Sequence, residues 1–517
     1  MNGAESLIRT LLAAGVDTCF ANPGTSEIHL VAALDQITEM RCVLGLFEGV
    51  VTGAADGYAR MAEKPACTLL HLGPGLGNGL ANLHNASRAQ VPIVSLVGQH
   101  PSSHLPYDTP LTSDIEGFAR PYSKWLRTSV SALALGSDAA EAVVAARTAP
   151  GQIATLIVPA DAAWGENARV AAIPAVPKAP MPADAAIERA AAMLRSGART
   201  AFLLNGNALY GKRLMAAGRI ASATGAKLFS PYPLTRQERG AGYPPVDRIA
   251  YVLEQGIEQL KEFRQLILVG ARSPVAYFAY PGKNSEFTSP ECAIHQLAAP
   301  GEDYVGALEA LEMALGASRT PAVVEKAERP ALPDGDISLS GLASVVGAVL
   351  PENAIVVDES MTSGRGMMAA TKGGPHHDWL ANTGGSIGIA LPLAVGAAVA
   401  CPDRKVICLS ADGSGMYTLQ ALWTMARESL KVTTVVFANR DYAVLKREFS
   451  YLGIGSPGTR ALDMFEIGRP DLDWVSLAKG MGVPASRVTS LGGFVKALGE
   501  GFASGGPMLI EVPLPRT

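Results

Sequence analysis

Cysteine is scarce in this chain, and so is charge. Six cysteines (Cys19, Cys42, Cys67, Cys292, Cys401 and Cys408) are scattered through 517 residues. They have neither the close pairing of a zinc site nor the density of a disulfide framework, and they read as reduced thiols of a cytoplasmic protein. Charged residues make up 17% and the net charge is −4. No basic stripe or tail is present, which argues against a nucleic-acid partner. Long apolar runs are also missing. The most apolar stretch, 387–400, contains Pro392 and is too short to span a bilayer, so no membrane partner is expected. The opening MNGAESLIRTLLAAG carries Glu5 and enters an amphipathic helix, unlike a signal peptide. No short-period repeat is visible.

What is present is apolar sequence, 48% of the chain, enough for two to four separate cores. Short apolar runs alternate with helical patterns in three blocks. Strands are predicted at 18–20, 41–45, 66–71, 93–98 and 154–158 in the first block, residues 1–170. They recur at 200–204, 227–229, 266–269 and 291–297 in the second, 186–325, and at 354–357, 406–409, 433–437 and 508–512 in the third, 335–517. Pro- and Ala-rich IPAVPKAPMPADA (173–185) and a stretch with Pro321, Pro330 and Pro333 read as linkers. The expected fold class is α/β, with three doubly wound parallel-sheet domains. The middle block lacks Gly-x-Gly-x-x-Gly: neither Leu204-Asn205-Gly206-Asn207-Ala208 nor Val269-Gly270-Ala271-Arg272-Ser273 supplies it, so a nucleotide such as FAD or ADP there is unsupported.

The densest chemistry lies in VICLSADGSGMYTLQALWTMARESLKVTTVVFANRDY, 406–442. It reads strand, helix, strand, with Asp412 at the end of the first strand and Asn439 at the end of the second. Parallel strands put those ends side by side, at the edge where open α/β sheets bind ligands. A carboxylate and an amide oxygen together suit a hard cation such as Mg²⁺ that also holds phosphate oxygens. Gly413 permits close backbone approach, and the following helix start offers N–H groups to an anion. The competing reading is an Asp and an Asn that cap a helix and a turn.

Three strand ends stand out in the first block. Asn22-Pro23-Gly24-Thr25-Ser26 forms a turn into a helix, where Thr25 or Ser26 can serve as cap. Glu48, in Leu46-Phe47-Glu48-Gly49-Val50, opens a helix among apolar neighbours, which also fits a carboxylate favoured at a helix N-terminus. His71 precedes the glycine-dense Leu72-Gly73-Pro74-Gly75-Leu76-Gly77-Asn78-Gly79, where backbone must approach something closely. Gln99 closes the fourth strand. His376-His377 lies among Gly and Pro and reads as a solvated loop.

Together these segments resemble the thiamine diphosphate (ThDP) enzymes, whose usual diphosphate motif is Gly-Asp-Gly-Ser followed by Asn-Asn. Here Ala411 and Ala438 replace the first residue of each pair, and no side-chain ligand is lost. Within the superfamily the likeness is strongest to benzoylformate decarboxylase, on Asn22-Pro23-Gly24-Thr25, Leu70-His71, Leu391-Pro392 and Ala421-Leu422-Trp423. Acetolactate synthase-like proteins are the nearest competitor. The resemblance implies pyrimidine-binding, central and diphosphate-binding domains. It implies Asp412, Asn439 and the backbone carbonyl of Asp441 as Mg²⁺ ligands, and Gly413, Ser414, Tyr442 and Thr362 as further cofactor contacts. Glu48 would share a proton with the aminopyrimidine, Gly385 would accept from its amino group, and Ile387 would wedge the bent cofactor unless it is simply core. Thr25 and His71 would face the substrate, with Gln99, Val444 and Glu448 lining its pocket. The family's second active-site His has no counterpart in Pro274–Tyr280.

The implied reaction is non-oxidative decarboxylation of a small 2-oxo acid to an aldehyde through a C2 carbanion and an enamine. The alternative is an acetolactate synthase-like carboligase making 2-hydroxy ketones, for which bound FAD would be in keeping. A remoter one is an inactive binding subunit. The resemblance also implies a homodimer or homotetramer with sites shared between subunits.

Overall fold

The computed structural model describes residues 1–515. Three sheets organise them. The first has six parallel strands in the spatial order Arg41–Leu44, Thr18–Asn22, Ala66–Leu70, Ile93–Gln99, Ile153–Pro159, Ser123–Thr128. The second has five, in the order Asp247–Arg248, Lys227–Ser230, Thr200–Leu204, Gln265–Val269, Ala293–Ala298, again all parallel. The third has seven: Ala485–Arg487, Met508–Pro513, Val432–Ala438, Val406–Ala411, Ala354–Glu359, His377–Ala381 and Gln237–Arg239. Its last strand comes from the middle of the chain and is antiparallel, pairing Arg239 with His377 and Gln237 with Trp379.

Side-chain alternation shows that the sheets are covered on both faces. In the third, Val356, Ile407 and Val435 join one core with helices Leu339–Val349 and Leu491–Ala503, while Ile355, Val406 and Val436 join another with helix Ala390–Ala400. In the first, Phe20, Leu70 and Val97 pack under helices Glu48–Ala62 and Leu72–Ala89; Cys19, Leu69 and Leu96 pack over Gly3–Ala13 and Ala132–Arg147. That is the period of two expected of strands buried on both sides.

One core is shared by the first and third sheets, because helix Glu48–Ala62 packs directly on Ala390–Ala400. Glycines set the separation: a Cβ on Gly396 would overlap the Ala54 carbonyl, and one on Gly57 the Leu393 carbonyl. Any side chain there would force the helices apart, at about 1–3 kcal/mol for typical overpacking. Beside this crossing, Arg60 makes a bidentate pair with Asp56, both bonds 2.7 Å and both side chains fully buried. The guanidinium also donates to the carbonyls of Thr235 (3.0 Å) and Ala381 (2.8 Å), so it touches chain from all three blocks. Such a pair fixes relative placement more surely than it adds stability.

His377 corrects the loop expectation. It is fully buried in a strand, with Nδ1 2.8 Å from the Pro375 carbonyl. The neighbouring glycines and Pro375 obscured a short strand, His-Asp-Trp-Leu-Ala, that is buried on both faces. No described helix is long and apolar enough to cross a membrane.

Candidate active site

The first half of the site sits at the carboxyl edge of the six-stranded sheet. Glu48 is the first residue of its helix and 8% exposed, and its Oε2 accepts from Asn78 Nδ2 at 3.0 Å. A Cβ on Gly75 would lie 3.2 Å from Glu48 Oε1 and 3.3 Å from His71 Cβ, so this glycine packs between the carboxylate and the histidine. The ring of His71 in turn occupies the space a side chain on Gly24 would need.

His71 Nδ1 lies 2.7 Å from Oε2 of Glu27, a fully buried carboxylate that also accepts the Gly24 N–H at 2.8 Å. Its Oε1 is buried without a hydrogen-bond partner and lies against Gly98, where any Cβ would overlap it. A carboxylate accepting at this position would call for the hydrogen on Nδ1 and leave Nε2 for another partner. Sequence reasoning missed Glu27. The signal was available: it stands three residues after Gly24, the capping-box position, and its side chain bonds back to the cap N–H. Neither Thr25 nor Ser26 caps the turn, because Gly24 is the cap residue and Thr25 is exposed at its first position. Gln99 is 9% exposed and lines a cavity of about 400 Å³ with Ser113, Asp114 and Thr128.

The second half lies at the carboxyl edge of the third sheet. Strands Val406–Ala411 and Val432–Ala438 pair in parallel, aligning Ala411 with Phe437. Asp412 Oδ2 accepts the Arg440 N–H at 2.7 Å and Oδ1 the Gly413 N–H at 2.9 Å. Burial pushes its carboxyl up to about 6 against the pull of those bonds. Asn439 is 7% exposed, and its Oδ1 accepts from Asp441 N at 3.2 Å. Arg440 turns the chain in the left-handed region (φ 58°), so Asp412, Asn439 and Asp441 share one corner. The Arg440 carbonyl is taken by Ile467 N–H, and the Asp441 side chain is paired with Lys446. Tyr442 packs on Gly413, where a Cβ would approach its ring to 2.7 Å. A cavity of about 370 Å³ opens beside Asn439, Arg440 and Asp441.

Among the described residues, no three His, Cys, Asp or Glu side chains could hold a metal by themselves. A cation here would need Asp412, the Asn439 amide, a backbone carbonyl and oxygens from a ligand. A buried carboxylate with a raised pKa beside a neutral amide fits that donor set.

The loop 382–390 is held by Glu359, which is buried and pushed up to about 7 by desolvation. Glu359 accepts the N–H groups of Gly388 and Ala390 and the Asn382 amide, all near 3.1 Å. Asn85 bonds both the carbonyl and the N–H of Ser386. Gly385 is exposed (φ 83°) and Ile387 half-buried, outside the core that takes Ile389. Thr418 Oγ1 donates to the Gly388 carbonyl at 2.6 Å and its N–H to the Gly415 carbonyl at 3.3 Å, joining this loop to the Asp412–Gly415 turn that contains Ser414. Thr362 is half-buried in the turn after strand Ala354–Glu359. Val444 and Glu448 lie on helix Ala443–Tyr451, none of whose residues is buried.

Comparison with known proteins bears on both halves. The description "Thiamine pyrophosphate enzyme, N-terminal TPP binding domain" matches residues 1–118, and "Thiamine pyrophosphate enzyme, C-terminal TPP binding domain" matches 364–512. A Mycobacterium tuberculosis protein named "Putative acetolactate synthase large subunit IlvX" is 53% identical over 522 residues, covering 100% of this chain and 99% of its own. Benzoylformate decarboxylase of Pseudomonas aeruginosa is 28% identical over 521 residues, 96% of each chain. The thiamine diphosphate-dependent 4-hydroxybenzoylformate decarboxylase of Rhodococcus jostii RHA1 superposes with a TM-score of 0.87 at 23% identity, covering 100% of both chains, a likeness of fold.

Proposed function

Because this chain belongs to the thiamine pyrophosphate enzymes, we propose that it decarboxylates a small 2-oxo acid to an aldehyde, with ThDP and Mg²⁺ bound between two subunits. Asp412, Asn439 and the Asp441 carbonyl hold the cation, and Gly413, Ser414 and Tyr442 border the diphosphate. Gly385, Ile387 and Glu48 receive the aminopyrimidine. Bound there, the cofactor supplies a nucleophilic carbon and an electron sink for loss of CO₂. Glu48 holds and returns a proton at its carboxylate in a site shielded from bulk water. His71 Nε2 moves a proton to or from the reacting carbon, and Thr25 offers a hydroxyl to the substrate carboxylate.

One observation carries the choice of reaction: the buried Glu27 that orients His71, packed across Gly75 from Glu48. Release of an aldehyde needs a proton at the former carbonyl carbon, and His71 delivers it from Nε2 when its imidazole carries both protons and Glu27 matches the charge. Ligation to a second carbonyl does not need it. The 53% identity to the M. tuberculosis protein favours the second reading, a carboligase forming 2-hydroxy ketones. The test is a panel of 2-oxo acids with purified protein, ThDP and Mg²⁺, scored for CO₂ and for product. Aldehyde from a single substrate supports decarboxylation; a 2-hydroxy ketone as the sole product replaces it with carboligation. The minimal unit is a dimer, because Glu48 and Asp412 grip opposite ends of one cofactor only across a subunit boundary.

A further inference from the structure

The loop that carries Gly385 and Ile387 hangs from one carboxylate. Glu359 ends strand Ala354–Glu359 and is 3% exposed. Gly388 N–H spans its two oxygens at 3.1 and 3.2 Å, Ala390 N–H reaches Oε2 at 3.1 Å, and Asn382 Nδ2 reaches Oε1 at 3.1 Å. In its ionised form the side chain only accepts, so the Asn382 amide turns its nitrogen toward it. The Asn382 oxygen then takes the N–H groups of Gly384 (3.1 Å) and Gly385 (2.8 Å). A continuous path runs from Glu359 through Asn382 to Gly385, the glycine given above to the aminopyrimidine.

The groups facing Glu359 supply donors and no matching cation. Cys408, on the adjacent strand Val406–Ala411, is a buried thiol pushed well up by burial and then by the Glu359 charge. Asp358 precedes it on its own strand, and helix Ala390–Ala400 brings no titratable side chain. Arg60 reaches the loop at Thr383 Oγ1 (3.2 Å), with its charge matched by Asp56. His84 Nε2 lies 3.0 Å from the Gly384 carbonyl, a bond it donates whether the ring is neutral or charged. Desolvation raises the Glu359 carboxyl to about 7 against the pull of its four bonds. Protonating either oxygen sets an O–H against donors already in place.

We propose that Glu359 is a positioning residue for the aminopyrimidine seat, and that the seat is set only while this side chain is a carboxylate. Acidification then unlatches Gly388, Ala390 and Asn382, and with Asn382 the Gly384–Gly385 backbone. Asn85, which bonds the N–H and carbonyl of Ser386 from the other side, holds the loop without titrating. The inference rests on the ThDP reading above and adds to it a residue that sets cofactor affinity from outside the cofactor contacts.

Hydrogen exchange of the cofactor-free protein is the first test. After correction for the intrinsic pH dependence of exchange, protection of the Gly388 and Ala390 amides should fall about tenfold between pH 8 and pH 6. Glu359→Gln, which presents one acceptor and one donor as the protonated acid does, should show the lower protection at both. ThDP with Mg²⁺ is then titrated into both proteins over the same range. Asp412 and the cofactor's phosphates also titrate there, so the quantity read is the ratio of the two dissociation constants. Glu359→Gln should bind about tenfold more weakly at pH 8, and the ratio should close toward one at pH 6. Asn85→Ala should weaken binding by a factor that does not change with pH. Protection that stays flat in the wild type, or a Glu359→Gln ratio that does not vary with pH, overturns the inference and leaves the ThDP reading standing. If the variant does not fold, the wild-type exchange profile decides alone. Absence of ThDP binding at every pH removes the ThDP reading and the seat with it.

Discussion

Glu27 Oε2 lies 2.7 Å from His71 Nδ1, across 44 residues of sequence, and the same oxygen accepts the Gly24 N–H. The carboxylate is fully buried and its other oxygen presses on Gly98. It has no route to solvent, so its role is to hold the histidine ring and its tautomer.

Glu27→Gln should therefore act on kcat more than on KM. The neutral amide removes the charge that would match an imidazolium, so His71 would take up and deliver a proton at Nε2 less readily. A loss of roughly 10²-fold is expected, the scale of removing one proton-transfer group. Gly98→Ala should reproduce the effect from the opposite side by displacing the carboxylate. If both variants keep the wild-type kcat and pH–rate profile while only thermal stability falls, Glu27 merely packs.

Glu48→Gln should leave the fold and ThDP binding close to normal, because Asn78 can still pair with the amide. Turnover should fall about 10²–10⁴-fold through loss of the proton relay. Steady-state rates beside a ThDP titration provide the check. Full activity in this variant would remove the enzymatic role given to Glu48.

Asp412→Ala should abolish Mg²⁺-dependent ThDP binding, since no described group of acidic or histidine side chains replaces it. The N–H groups of Gly413 and Arg440 also lose their acceptor, so a modest fall in melting temperature should accompany it. Chelation of the wild type should mimic the binding defect without that structural cost. Undiminished ThDP affinity in the variant would place the cation elsewhere.

Much of this architecture was readable from apolar runs, because strands buried on both faces are nearly continuous in Val, Ile and Leu. Val406–Ala411 and Val432–Ala438 are of that kind, and Asp412 and Asn439 follow from their ends. The strands that escaped detection are short, polar or both. Ser123–Thr128 lies at an edge with charged Lys124 and Arg127, and Gln237–Arg239 is three residues long and pairs with a partner 140 positions away. Glu27 escaped for another reason: attention fell on the neighbouring hydroxyls, whereas the capping group is the carboxylate three positions later. No local pattern could have announced the hydrogen bond of Tyr280 to Glu448, since their meeting depends on how the middle block is seated.

His377 offers a pH test of that seating. Burial, aided by the Arg239 charge beside it, depresses its pKa from the ordinary 6.5 to about 3. A base that is harder to protonate when folded contributes stability fully present above pH 6.5. That contribution is lost as pH falls toward 3, because the unfolded chain takes up the proton first. The full shift corresponds to an order of 3–5 kcal/mol. His377→Gln cannot titrate and should lack this dependence. Denaturant melts of both proteins between pH 7.5 and 4 should show the wild type losing its advantage steadily on acidification. Parallel curves would mean that the imidazole is protonated in the native state, with its charge matched by Asp378 or by water admitted between the two strands.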